Sequence, residues 1–287
     1  GYLHRRRASG SVVVSRIASR FAALKQQGRG ALIPYVEACD PDYETSLALL
    51  KGMPGAGADL IEVGMPFSDP SADGPTIQKA ALRGLRGGAN MSRVLEMIAE
   101  FRRDDHDTPI ILMGYLNPIE AYGHERFCAD AARAGVDGLI IVDVPPEEGD
   151  LLRGPAAANG LDIIRLVAPT TPDARLPVVL NGASGFLYYV SITGVTGTRT
   201  ASTDELAVAI PRLRAVTDLP IAIGFGIRAP AQAANAVRAA DAAVVASALL
   251  NTLEGTLDAD GNATAQTVDS VLSHLRELAD AVHAARV

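Results

Sequence analysis

Eight short apolar runs, each followed by a stretch with helical periodicity, predict an α/β fold: a (β/α)8 barrel of the TIM type, in a single domain. Three observations lead there. The runs are continuous rather than alternating, which is the pattern of a parallel sheet buried on both faces. Strands and helices alternate strictly, which implies parallel strands joined by right-handed crossovers. The chain has 287 residues and is 48% hydrophobic, a size and core content at which such a barrel closes as one domain. An open doubly wound sheet is the alternative, but no G-x-G-x-x-G follows the first strand.

The elements follow in order. Gly1 to Arg7 reads GYLHRRR with no apolar signal segment behind it, so residues 1–13 are expected to be a flexible N-terminal tail ahead of a barrel domain over 14–287. Ile17, Phe21 and Leu24 share a helical face and predict an extra N-terminal helix over 14–25. A strand over 31–36 comes next, and Asp40-Pro41-Asp42 breaks the chain and caps a helix over 43–53. The second strand is 60–63. Helix 91–103, strand 109–113, helix 119–134, strand 138–142, helix 147–159, strand 162–167 and a helical stretch over 172–181 follow. Strand 185–190 opens into a Gly/Thr loop at 193–200, and helix 203–216 carries Asp204 and Glu205 in its first turn. Strand 220–223, helix 230–239, strand 242–245, a short helix over 247–253 and a closing helix over 267–284 complete the pattern.

Strand starts lie about 23 to 34 residues apart, except that the second and third are about 50 apart. The excess, residues 64–90, predicts an enlarged loop after strand 2, on the face where such barrels place catalytic groups.

A net charge of −7 with scattered basic residues argues against nucleic acid or an anionic membrane as partner. Cys39 and Cys128 form no spaced motif and fit free thiols in a reducing, cytoplasmic setting. No apolar run approaches the roughly 18 residues of a membrane helix. The histidines, His4, His106, His124, His274 and His283, show no ligand-like spacing, and no metal site is expected.

The chemistry centres on residues 59–78, DLIEVGMPFSDPSADGPTIQ. Glu62 sits in an apolar strand, where a carboxylate costs several kcal/mol unless neutralised or paired. It reads either as a general acid/base with a raised pKa or as a structural carboxylate paired with Arg or Lys. Asp69 and Asp73 lie on the loop. Asp69, before Pro70, reads as a turn residue. Asp73, before Gly74-Pro75, reads as a site carboxylate or as the cap of a helix beginning at 76–80. Gly194-Val-Thr-Gly197, Gly224-Phe-Gly226 and Ala246-Ser247 follow strands 6, 7 and 8. Together they suggest a phosphate cradle of backbone N–H groups. The residues alone therefore suggest a barrel enzyme that uses carboxylate acid/base chemistry on a small phosphorylated substrate.

PFSDPSADGPTIQ at 66–78 resembles the signature of the tryptophan synthase alpha subunit family. IEVG at 61–64, YLNP at 115–118, GVTG at 194–197 and GFGI at 224–227 follow in the family's order, and the resemblance runs from Ala31 to Leu253. It implies a lyase of L-tryptophan biosynthesis that performs aldol cleavage of indole-3-glycerol phosphate to indole and glyceraldehyde 3-phosphate. By matching position, it implies Glu62 as acid/base and Asp73 as partner of the indole N–H. It implies Gly197, Gly224, Gly226 and Ser247 at the phosphate, Tyr35, Tyr115 and Tyr188 lining the pocket, and Thr196 engaging the Asp73 loop. Core packing is the other reading of the three tyrosines. The resemblance further implies no cofactor in this chain, and a beta subunit carrying pyridoxal phosphate in an allosteric alpha2-beta2 heterotetramer. A catalytically weak allosteric subunit and another barrel enzyme of phosphosugar metabolism are the alternatives. The departures are Glu37, Cys39, Ser71 and Ala246. Cys39 and Ala246 stand where glycine is usual, and Glu37 stands where a small polar residue is usual. Glu37 is expected to turn outward.

Overall fold

The computed structural model describes residues 5–6, 12–190, 202–224 and 226–285. Its strands form one parallel sheet curled into a barrel. They are β1 Ala31–Glu37, β2 Ile61–Gly64, β3 Ile110–Gly114, β4 Gly138–Ile141, β5 in two pieces (Asp162–Ile163 and Arg165–Val167), β6 Leu187–Val190, β7 Ile221–Gly224 and β8 Ala242–Val245. β8 pairs with β1, and β5 closes the ring, its first piece on β4 and its second on β6. The predicted barrel is present, and the break at Ile164 is a feature the sequence reading lacked. A separate two-residue ladder pairs Arg5–Arg6 with Val12–Val13.

Around the sheet lie α1 Arg16–Gln26, α2 Tyr43–Gly52, α3 Pro75–Arg86, α4 Met91–Phe101, α5 Leu116–Tyr122 and α6 His124–Ala134. They are followed by α7 Asp150–Ala158, α8 Leu176–Leu180, α9 Thr203–Arg214, α10 Pro230–Ala239, α11 Ser247–Gly255 and α12 Thr267–Ala284. The single helix expected over 119–134 is two, because Gly123 takes φ +95° between α5 and α6. The enlarged loop after β2 contains α3, whose buried face is Ile77, Ala80, Ala81 and Gly84. The sequence reading named only a possible start of this helix, at 76–80.

Two apolar cores result. The outer core packs strands against helices. The inner core fills the barrel with Ile33, Tyr35, Leu60, Ile111, Ile140, Phe186, Tyr188 and Val244, among others. α1 plugs its lower end with Ile17, Phe21 and Leu24, and Phe21 lies 5.9 Å from Phe186 between ring centroids.

Four polar side chains tie the barrel floor, each just before an even-numbered strand and each accepting an N–H from the odd-numbered strand before it. Leu32 donates to Asp59 Oδ2 (2.9 Å), Ile110 to Asp137 Oδ2 (2.9 Å), Ile163 to Ser184 Oγ (3.0 Å) and Ile221 to Asp241 Oδ2 (2.8 Å). Arginines neutralise the three carboxylates: Arg29 on Asp59, Arg102 and Arg16 on Asp137, and Arg214 on Asp241. These bonds fix strand register at the floor and leave the C-terminal mouth free for chemistry.

Candidate active site

Along β2, Ile61 and Val63 face the outer core, so the two-residue period turns Glu62 into the barrel. It stands opposite Tyr35 of β1 on one side and Ile111 of β3 on the other. Its side chain is fully buried, and among the described residues neither carboxyl oxygen finds a hydrogen-bond partner. Burial alone raises its pKa to about 8. Glu62 is therefore a neutral carboxylic acid at pH 7. Among the described residues no Arg or Lys pairs with it, which argues against the structural ion-pair reading.

Asp73 projects from the loop before α3. It is not that helix's cap, because Gly74 occupies the N-cap and Pro75 the first turn. Its Oδ2 instead accepts a 2.9 Å hydrogen bond from the Tyr115 hydroxyl, whose oxygen accepts from the Ala72 N–H at 3.0 Å. Phe67 packs on the Tyr115 ring at 5.4 Å. Burial raises the Asp73 pKa, and the Tyr115 bond pulls it back down. Asp69 is exposed and bonded by Ser68, as expected of a turn residue.

Glu37 corrects an expectation. It does not turn outward: it is 3% exposed and faces the barrel, because Ile33, Tyr35 and Glu37 lie on one face of β1. Its Oε2 accepts a 2.6 Å hydrogen bond from Tyr35. Burial lifts its pKa to about 8 against the opposing pull of the Tyr35 bond, with the nearby Asp73 charge pushing the same way as burial. A Cβ at Gly64 would lie 2.0 Å from the Tyr35 hydroxyl and 2.4 Å from Glu37 Oε2, so the pair requires a glycine there. Tyr35, Glu37, Asp73, Tyr115, Met113 and Phe67 line one small cavity at the mouth.

A second cavity is lined by Tyr188, Gly226, Arg228, Ala246 and Ser247, among others. Gly226 has φ +76°, and Ser247 opens α11, so backbone N–H groups and a helix N-terminus converge there. A Cβ at Gly224 would lie 2.3 Å from the Tyr188 hydroxyl, so this glycine is what admits the ring. Ala246 has φ −118° and its methyl meets no left-handed backbone. Cys39, by contrast, holds φ +62°, the conformation that favours glycine. Ser71 is exposed on the loop. Glu62 lines neither cavity; burial raises the pKa of Tyr35 in the first, followed by Glu37, Asp73 and last Glu62, and burial followed by Glu62 raises that of Tyr188 in the second. Thr196 and Gly197 lie outside the described residues. Among the described residues no cluster of three or more His, Cys, Asp or Glu could hold a metal, and no helix is long and apolar enough to cross a membrane.

The arrangement combines a buried carboxyl, a polar aromatic cavity and a glycine-lined cavity at a helix N-terminus. The family described as Tryptophan synthase alpha chain matches residues 21–283. The tryptophan synthase alpha chain of Gluconacetobacter diazotrophicus is 76% identical over 273 residues, covering 95% of this chain and all of the relative. That of Granulibacter bethesdensis is 69% identical over 274 residues, with 96% and 98% covered. Among solved structures, tryptophan synthase subunit alpha from Legionella pneumophila superposes with a TM-score of 0.86 at 37% identity, covering 94% of this chain and 99% of that one. A chain of Mycobacterium tuberculosis tryptophan synthase gives 0.83 at 34% identity, with 94% and 98% covered. On these grounds the chain belongs to the tryptophan synthase alpha chain family.

Proposed function

We propose that Glu62 and Asp73 carry the family's lyase reaction in this chain, the cleavage of indole-3-glycerol phosphate to indole and glyceraldehyde 3-phosphate. One observation supports this above the others: at Glu62, a fully buried carboxyl with no hydrogen-bond partner among the described residues and a pKa raised to about 8. Such a group is protonated at rest and still basic once ionised.

The steps use this one carboxyl twice, first as acid and then as base. Neutral Glu62 donates it to indole C3, and positive charge develops on the ring nitrogen. The Asp73 carboxylate, held by Tyr115, accepts the ring N–H and stabilises that charge. The Glu62 carboxylate then takes the proton of the glycerol hydroxyl next to the breaking bond. The electron pair of that O–H bond forms the aldehyde, and the carbon–carbon bonding pair returns to the ring. Glu62 ends neutral, as it began.

The cradle of Gly224, Gly226 and Ser247 is assigned to the substrate phosphate. Thr196 and Gly197 are assigned to loop closure and to the phosphate on sequence alone. Tyr35 and Tyr115 line the first cavity and Tyr188 the second, and all three are assigned to the substrate pocket. We assign no cofactor to this chain, and a beta subunit with pyridoxal phosphate in an alpha2-beta2 assembly as the recipient of indole. The test is indole release from indole-3-glycerol phosphate by the full chain, alone and with a beta subunit. Release by the chain alone, accelerated by the partner, is expected. Release seen only with the partner would support a catalytically weak allosteric subunit instead.

A further inference from the structure

Two carboxyls, Glu37 and Asp73, line the first cavity, and a tyrosine holds each in the same way. Tyr35 donates to Glu37 Oε2 at 2.6 Å, and Tyr115 donates to Asp73 Oδ2 at 2.9 Å. Among the described residues the second oxygens, Glu37 Oε1 and Asp73 Oδ1, carry no hydrogen bond. With one oxygen of each committed to a tyrosine, the other is what each carboxyl offers a guest. The remaining walls are mostly apolar, with Met65, Phe67, Met113 and Val142 among them.

The two carboxyls play opposite parts. Burial raises the Glu37 pKa to about 8; the Tyr35 bond and the Arg83 charge pull it down, and the Asp73 and Asp40 charges push it up. Arg83 does not pair with Glu37, because its guanidinium is forked onto Asp40 at 2.7 and 2.9 Å. Glu37 is therefore a neutral acid at pH 7. Since Oε2 accepts from Tyr35, the acid proton sits on Oε1 and makes it a donor. Asp73, as a carboxylate, is an acceptor. Indole has one polar atom, its N–H, and that atom uses the acceptor alone. The Glu37 donor is left over, and a buried donor without an acceptor costs affinity.

We propose, resting on the assignment of Asp73 to the ring N–H, that Glu37 is a specificity-determining residue: its Oε1–H donates to the ring atom beside that N–H, so the site favours bicyclic rings with an acceptor nitrogen there, as in 7-azaindole. The ring N–H and ring nitrogen of such a guest satisfy both free carboxyl oxygens at once, where indole satisfies one.

Calorimetric titration of the full chain with indole and with 7-azaindole, in saturating glycerol 3-phosphate, reads this as the ratio of the two Kd values. In the wild type near pH 6.5, 7-azaindole should bind more tightly than indole. That preference should be lost, by a shift of about tenfold in the ratio, in Glu37→Leu. It should be lost equally in the wild type as pH rises through about 8, where Oε1 gives up its proton. Glu37→Gln can keep the Tyr35 bond and turn an N–H into the cavity, so its preference should persist at pH 6.5 and at pH 9. The pH series and the Gln variant decide the matter even where Glu37→Leu fails to fold. Asp73→Ala should weaken both rings. If neither ring binds, or if Asp73→Ala binds both as the wild type does, the ring assignment of Asp73 falls and this proposal falls with it. With that assignment intact, the proposal alone is overturned by equal Kd values in the wild type, by a preference that survives Glu37→Leu or pH 9, or by its loss in Glu37→Gln.

Discussion

The Tyr35 hydroxyl donates to Glu37 Oε2 at 2.6 Å directly over the Cα of Gly64, one layer above Glu62 in the barrel mouth. Glu37 thus shares a cavity with Asp73 and Tyr115. The barrel mouth contains two buried carboxyls, Glu37 and Glu62, whose pKa values both rise to about 8.

Glu37→Gln should keep the Tyr35 bond and flatten the dependence of stability on pH. The folded chain keeps a proton on Glu37 that the unfolded chain releases near 4.5, so this stability is full below 4.5 and lost as pH rises through about 8. Tyr35, Asp73, Asp40 and Arg83 all act on this carboxyl and remain in the variant. Urea unfolding between pH 5 and 8 should show the slope reduced by about 1 kcal/mol per pH unit. An unchanged slope would mean Glu37 ionises normally.

Glu62→Gln should abolish indole release, because Gln can neither give nor take the proton. Glycerol 3-phosphate affinity should stay within about twofold, since the cradle is built from other loops. In the wild type, kcat should fall as pH rises through about 8, where Glu62 loses the proton it must donate. Turnover near the wild-type level in the variant would falsify the acid/base assignment.

Tyr115→Phe removes the bond that lowers the Asp73 pKa. Asp73 acts as a carboxylate, so the acid limb of the kcat/KM profile should move to higher pH. Loss of one charge-assisted hydrogen bond, about 1.5–3 kcal/mol, implies roughly a 10- to 100-fold drop in kcat/KM. Asp73→Asn should lose most activity at every pH. If both variants changed only Tm, Asp73 would be a structural residue.

Arg102→Ala acts at the other end of the barrel. Arg102 donates to the carbonyls of Gly135 and Thr108 at 3.0 and 2.7 Å and to Asp137 Oδ2 at 2.8 Å. Removing it leaves a buried carboxylate with Arg16 as its one remaining cation beside the Ile110 N–H, a loss of about 3–5 kcal/mol. Tm should fall by about 10 °C. kcat measured well below that Tm should be unchanged.

The barrel was legible because buried parallel strands write themselves as uninterrupted apolar runs. Glu62 was legible because a carboxylate in such a run is an anomaly. Glu37 was misread for a definite reason: the first strand was ended at Val36, one residue short. Extending it by one residue makes the two-residue period that turns Tyr35 inward do the same for Glu37. The bond between Asp73 and Tyr115 joins residues 42 apart in the chain and leaves no local pattern. The break in β5 was hidden because IIRLV reads as one run, although an arginine within it was the signal.

The four floor ties place stability and chemistry at opposite ends of the same strands. A library of random substitutions screened for residual indole release and, separately, for survival of heating should return two different maps. The heat map would crowd around Asp59, Asp137, Ser184 and Asp241, and the activity map around the far ends of the strands they anchor. Directed evolution of the mouth can therefore proceed on an unaltered floor.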